Sequence, residues 1–162
     1  MTGTKAFDLI NVTVAALQAT TGLCAPGGTG VPVYDGPVLT DSDLPTCIII
    51  GARGFGDEDA DNGTGIDAEW ASLPIGAGSR HESVTVPCVA VAWSGDMNWS
   101  TLRATLRAAF DKVTDKLMTP ATWDTLAGVE TLVLSNMTLT PEATQDGGVL
   151  TLTFTIDATF LV

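Results

Sequence analysis

Val31-Pro32-Val33-Tyr34-Asp35-Gly36-Pro37, then an acidic connector, then Cys47-Ile48-Ile49-Ile50-Gly51: how these two short β-forming runs pair decides the fold. Val31 to Tyr34 reads as a strand, and Pro32, with no N–H to give a ladder, favours a strand start or an edge. Asp35, Gly36 and Pro37 are turn formers. Thr46 to Ala52 is apolar without alternation, the pattern of a strand buried on both faces near the centre of a sheet. The expectation is a first hairpin whose second strand is central.

On the N-terminal side, Phe7, Ile10, Val14 and Leu17 recur at helical spacing between Lys5 and about Thr20, placing one apolar stripe on one face. Thr4 is the candidate N-cap, and Gly22 stands where a chain leaves a helix in a left-handed conformation. Leu23 to Gly30 contains Pro26, Gly27, Gly28 and Gly30 and predicts a loop. It lacks the Lys and Ser/Thr with which a P-loop holds phosphate.

On the C-terminal side, Arg53 to Gly65 combines glycines with Asp57, Glu58, Asp59 and Asp61 and predicts an exposed acidic loop. Ile66 to Leu73, including Glu69 and Trp70, predicts a returning strand, and Pro74 to Ser79 a second loop. Glu82 to Trp93 alternates Val84, Val86, Cys88 and Ala90 with Val89, Val91 and Trp93, the period of a long strand. Pro87 within it predicts a bulge, a bend or an edge.

Asn98 offers an N-cap to the clearest helical period of the chain, Trp99, Leu102, Leu106, Phe110, Val113 and Leu117. The opposite side carries Arg103, Arg107, Asp111, Lys112, Asp115 and Lys116, with Arg107 and Asp111 at a favourable i,i+4 spacing. Pro120 closes this helix, with Trp123 and Leu126 packing over its end. Val129 to Thr140 predicts a strand, Pro141 to Gly148 a turn, and Leu150, Leu152, Phe154, Ile156, Ala158 and Phe160 alternate without a miss against Thr151, Thr153, Thr155, Asp157 and Thr159. That last pattern is a strand with one buried and one polar face. The fold class is α/β of the α+β type: an antiparallel or mixed β-sheet with two α-helices packed on one face, residues 1–162 forming one domain.

Composition narrows function. The 162 residues are 45% hydrophobic and 16% charged, enough to bury about two-thirds of the unfolded surface. Seven Lys and Arg against 19 Asp and Glu give a formal charge of −12, which disfavours phosphate-backbone binding. Cys24, Cys47 and Cys88 are odd in number and without Cys-x-x-Cys spacing, so neither a disulfide framework nor a zinc site is indicated. No apolar run approaches the roughly 20 residues of a membrane span, and the chain is expected to be soluble and to stay in the compartment where it is made.

Catalytic candidates are few. His81 is the single histidine, on an expected loop, and its neighbour Glu82 would point to the opposite face of a strand. Cys47 and Cys88 lie in apolar strand patterns, where cysteine is a small buried hydrophobe. Trp70, Trp93, Trp99 and Trp123 lack the interleaved cations of a nucleic-acid stacking platform. Asp57, Asp59 and Asp61 follow the start of an EF-hand loop, but Gly63 comes one residue late and Glu69 one place beyond the twelfth position. A cation-binding module or small enzyme using that loop is therefore a minor alternative.

At Tyr34-Asp35-Gly36-Pro37, followed by the Ile48 to Ile50 strand, the chain resembles the tail terminator proteins of long-tailed bacteriophages, particularly those infecting actinobacteria. The order of elements resembles that family through most of the chain. The resemblance implies a ring, usually of six subunits, that caps the head-proximal end of the tail tube, stops its polymerisation and joins tail to neck. It implies the tail tube protein, a neck or head–tail connector protein and other copies of the chain as partners. It carries no catalytic residue, cofactor or membrane contact. DNA would pass through the lumen without specific binding, and six copies would carry about −72 in formal charge around it. The loop of Asp57, Glu58, Asp59 and Asp61 matches no motif of that family; its glycine and charge content give the expectation that it projects from the ring as an assembly-interface loop and orders on assembly. Within virion proteins the rival is a tail tube subunit, which leans more heavily on β-structure.

Overall fold

The structure, a computed structural model, describes residues 4–38, 46–52, 66–71 and 80–162. Helices α1 (Ala6–Gln18) and α2 (Trp99–Leu117) pack on strands β1 (Leu23–Cys24), β2 (Val31–Asp35), β3 (Cys47–Ile50), β4 (Asp67–Ala71), β5 (His81–Ser94), β6 (Val129–Thr144) and β7 (Gly147–Leu161). The strands run β1-β2-β3-β5-β7-β6 across a mixed, mostly antiparallel sheet, with β4 pairing the first part of β5. Both helices contribute to one core on one sheet face, the expected α+β arrangement.

The first two strands are not a hairpin. β2 and β3 pair in parallel, Val33 opposite Ile48 and Asp35 opposite Ile50, and β1 is parallel to β2 as well. Residues 36–46 separate the two strands. That length suits a crossover of about a dozen residues far better than a two- to five-residue hairpin loop. Gly36, at a φ of +81°, turns the chain away after donating its N–H to the Ile50 carbonyl at 2.8 Å. The central position of β3 is as expected. Ile48 and Ile50 face the helices, whereas Cys47 and Ile49 join Ala52, Val89 and Val91 in a smaller cluster on the other face. Burial on both faces is why the run does not alternate.

β5 pairs β7 along its whole length, from His81 opposite Leu161 to Ser94 opposite Gly148. On its other side β4 takes residues 81–85 and β3 takes residues 88–91, so Pro87 sits at the seam between two partners. The ladder with β7 shows no bulge there. The Pro87 carbonyl accepts from Gly51 N–H at 2.8 Å on the β3 side. A residue's nitrogen points the same way as its carbonyl, so the missing donor faces Gly51 at the end of the β3 ladder and leaves the β7 ladder intact. His81, expected on a loop, is the first residue of this strand.

α1 buries Ala6, Leu9, Ile10, Thr13, Val14 and Leu17. Phe7, expected in the stripe, flanks it in the first turn and is 68% exposed. The helix is capped from the sheet: Glu82, fully buried in β5, accepts from Lys5 N–H at 3.0 and 3.2 Å and from the Thr4 hydroxyl. Thr4 Oγ in turn accepts from Ala6 N–H at 3.3 Å, so it relays the cap in place of supplying it alone. A carboxylate beside the free N–H groups of a helix start meets the positive end of its dipole.

α2 buries Leu102, Leu106, Ala109, Val113 and Leu117, and Phe110 meets Phe154 edge-on with ring centres 5.0 Å apart. Asn98 caps it as expected, accepting from Thr101 N–H at 3.1 Å. After a 3-10 turn at Pro120–Trp123, the Trp123 indole donates to the Leu117 carbonyl at 2.8 Å. Pro141, expected in a turn, lies within β6 opposite Leu150, and residues 145 and 146 make the turn. An edge strand has no outer ladder for a proline to interrupt, which is why β6 continues through it. Gly147 follows at a φ of +148°, and a Cβ there would lie 2.3 Å from the Ser94 carbonyl oxygen. β7 keeps its strict alternation.

Candidate assembly surface

The turn residues lie at the exit of β2. Tyr34 is half-buried against the smaller cluster of Cys47, Ile49 and Val89, while Asp35 is exposed. Gly36 is held by its bond to Ile50, and Pro37 follows. Asp57, Glu58, Asp59 and Asp61 lie outside the described residues, as does the rest of the predicted acidic loop. Among the described residues no group of three or more His, Cys, Asp or Glu is placed to hold a metal ion.

His81, Cys47, Cys88 and Asp96 each have a defined place in the fold. His81 Nδ1 lies 2.9 Å from Glu130 Oε2, tying β5 to β6 across β7. Burial pushes the Cys47 thiol up to about 11 and the Cys88 thiol up to about 12, which keeps both protonated and unreactive near neutrality. Asp96 is held below the usual carboxylate range, first by the Ser94 hydroxyl and then by Asn98 N–H, which orders the entry to α2. On the sheet face away from the helices, Asp157 accepts from Thr85 at 2.6 Å, from Ser135 and from Thr155 at 3.2 Å. Three hydroxyls, one each from β5, β6 and β7, thus share one carboxylate.

Two open apolar surfaces stand out among the described residues. A groove of about 670 Å³ runs between α2 and the outer half of the β6–β7 hairpin. Leu106, Phe110, Met137, Leu139, Leu150 and Leu152 line its floor, with Arg103 and Arg107 at its border. Met137 and Leu139 are about half exposed. The second surface is a shallow hollow among Thr4, Ala6, Phe7, Ile66 and Ala68 at the start of α1. Neither was anticipated from sequence. The available signal for the groove was Met137 and Leu139 in a strand running beside a helix whose exposed side is basic.

Charge is distributed unevenly. α2 carries Arg103, Arg107, Lys112 and Lys116 against Asp111 and Asp115, a formal +2. With −12 on the whole chain, the remaining residues carry −14. One helix therefore holds four of the seven cations.

A mixed sheet with two helices on one face and a long terminal hairpin defines the fold class. No family model matches the chain, and no curated protein does. Among solved structures it is similar to a chain described as "Virion of native gene transfer agent (GTA) particle", at 18% identity and a TM-score of 0.56. The match covers 93% of this chain and 94% of that one. At this identity the likeness is one of fold, and it runs through nearly the full length of both chains. Among the described residues no helix is long and apolar enough to cross a membrane.

Proposed function

We propose that this chain is a structural virion protein, a tail terminator that forms a ring at the head–tail junction. The observation that carries the proposal is the near-complete fold match to a chain of a virion particle. The Tyr34 to Pro37 turn, the order of elements and the acidic balance support the finer reading. In it, copies of the chain act mechanically: the ring caps the tail tube, meets the neck connector and leaves an acidic lumen for DNA. A hexamer is the proposed ring, and neither a catalytic residue nor a cofactor takes part.

The second reading is a tail tube subunit. It is favoured by the strand content, since among the described residues seven strands, two of them 16 and 15 residues long, outweigh the two helices. Gold-labelled antibody on purified particles separates the readings. A terminator labels one position between head and tail, and loss of its gene leaves tails of uncontrolled length. A tube subunit labels the whole tail, and its loss leaves none. Particles that carry no label overturn both.

A further inference from the structure

Resting on that structural reading, we propose that the groove between α2 and β6 receives the start of α1 from a second copy of this chain. Phe7 of that copy is the inserted side chain, and its Asp8 faces Arg103 and Arg107. One surface projects and the other is recessed, and both are apolar. Phe7 is 68% exposed and Ile66 37%, a projecting apolar pair with the exposed carboxylate of Asp8 next to Phe7 in the chain. The groove is apolar along its floor and cationic at its border. Asp8 lies 3.6 Å from Lys5 Nζ, and its own carboxylate is exposed enough for an incoming arginine to share.

Position within the fold decides the symmetry. α1 starts over the His81 end of β5, held there by Glu82, on the side where β4 pairs. The groove lies on the other side of β5, against β6 and β7 and towards the opposite end of the strands. The two surfaces cannot meet within one chain. Their contact between chains is heterologous, the kind that repeats head to tail and closes when the rotation allows. A two-fold contact of groove on groove would instead bring the arginines of both copies together, a like-charge arrangement that disfavours association. The −14 carried outside α2 makes an acidic partner surface the default on any second copy.

Sedimentation across a concentration series tests this with Phe7→Glu and with Arg103→Glu/Arg107→Glu. All three positions are exposed, so the melting temperature of each variant stays near that of the native chain. The native chain assembles, and each variant needs about 30-fold higher concentration to do so, the scale of losing an interface anchor. In a Cys24→Ser background, a mixture of Phe7→Cys and Leu139→Cys chains forms a disulfide-linked dimer under mild oxidation, and neither chain does so alone. Variants that assemble like the native chain, or a native chain that stays monomeric with no cross-link, overturn the proposal. Its failure is distinct from failure of the virion reading. Variants still incorporated into particles overturn only this interface, whereas absence of the native chain from particles overturns the function.

Discussion

β6 and β7 are the two arms of one hairpin, paired from Val129 opposite Phe160 to Thr144 opposite Gly147, yet they have opposite fates. β7 lies between β5 and β6 and buries Leu150, Phe154, Ile156, Ala158 and Phe160. β6 has one neighbour and leaves Val133, Met137 and Leu139 about half exposed. The strands are similar in apolar content, so what separates them is place in the sheet: a strand with two neighbours and a helix above it is sealed, and an edge strand is not. Edge apolar residues contribute little to folding and remain available for association.

The comparison predicts a steep contrast in stability. Phe154→Ala removes a fully buried ring that meets Phe110 and should cost about 3–5 kcal/mol in urea unfolding. Leu139→Ala on β6 should cost less than about 1 kcal/mol, and a similar loss from both would end the distinction.

A smaller effect sharpens it with polar groups. Glu82, opposite Phe160, is buried and bonded, whereas Glu142 on β6 is exposed. Glu82→Ala strands Lys5 N–H and the Thr4 hydroxyl and should cost about 1–3 kcal/mol, with early loss of α1 helicity by circular dichroism. Glu142→Ala should change neither.

The buried thiols extend the interior side of the contrast to pH. Cys47 and Cys88 hold their protons up to about 11 and about 12 in the folded chain, against an ordinary value of 9.0. Above pH 9 the unfolded state loses these protons first, so their contribution is complete below that pH and fades as pH rises towards 11 to 12. Melting temperatures should fall across that window, and a thiol reagent near pH 8 should modify Cys24 while sparing the other two until denaturant is added. Smallest of all, Val133→Thr on the open edge should stay within about 0.5 kcal/mol of the native chain in the same urea titration.

Much of this fold was legible because two elements have clean periods. β7 alternates without a miss, and α2 repeats its apolar positions over 19 residues. The direction of β3 relative to β2 was not legible, since a strand's residues report which faces are buried and not which way the neighbour runs. The length of residues 36–46 was the better guide. Glu82 was weighed only as a neighbour of His81, although it shares parity with Val84, Val86, Cys88 and Ala90, the residues of the core face. Phe7 misled in the opposite sense, because a residue at the flank of a helix's first turn has little sheet beneath it. Of the candidate site, Tyr34 to Pro37 could be placed, while the groove depends on β6 and α2 coming together across about 30 residues of sequence, which no local pattern encodes.

The divided partnership of β5 carries one more consequence. β3 grips its second half and β4 its first, and at Pro87 no N–H links the two ladders. β4 can therefore part from β5 without disturbing β3 or the β7 ladder, a separate opening unit in the sense of native-state hydrogen exchange. Its amide protons should exchange with solvent ahead of those of β3, and the start of α1, anchored one residue along at Glu82, would keep its place while β4 breathes.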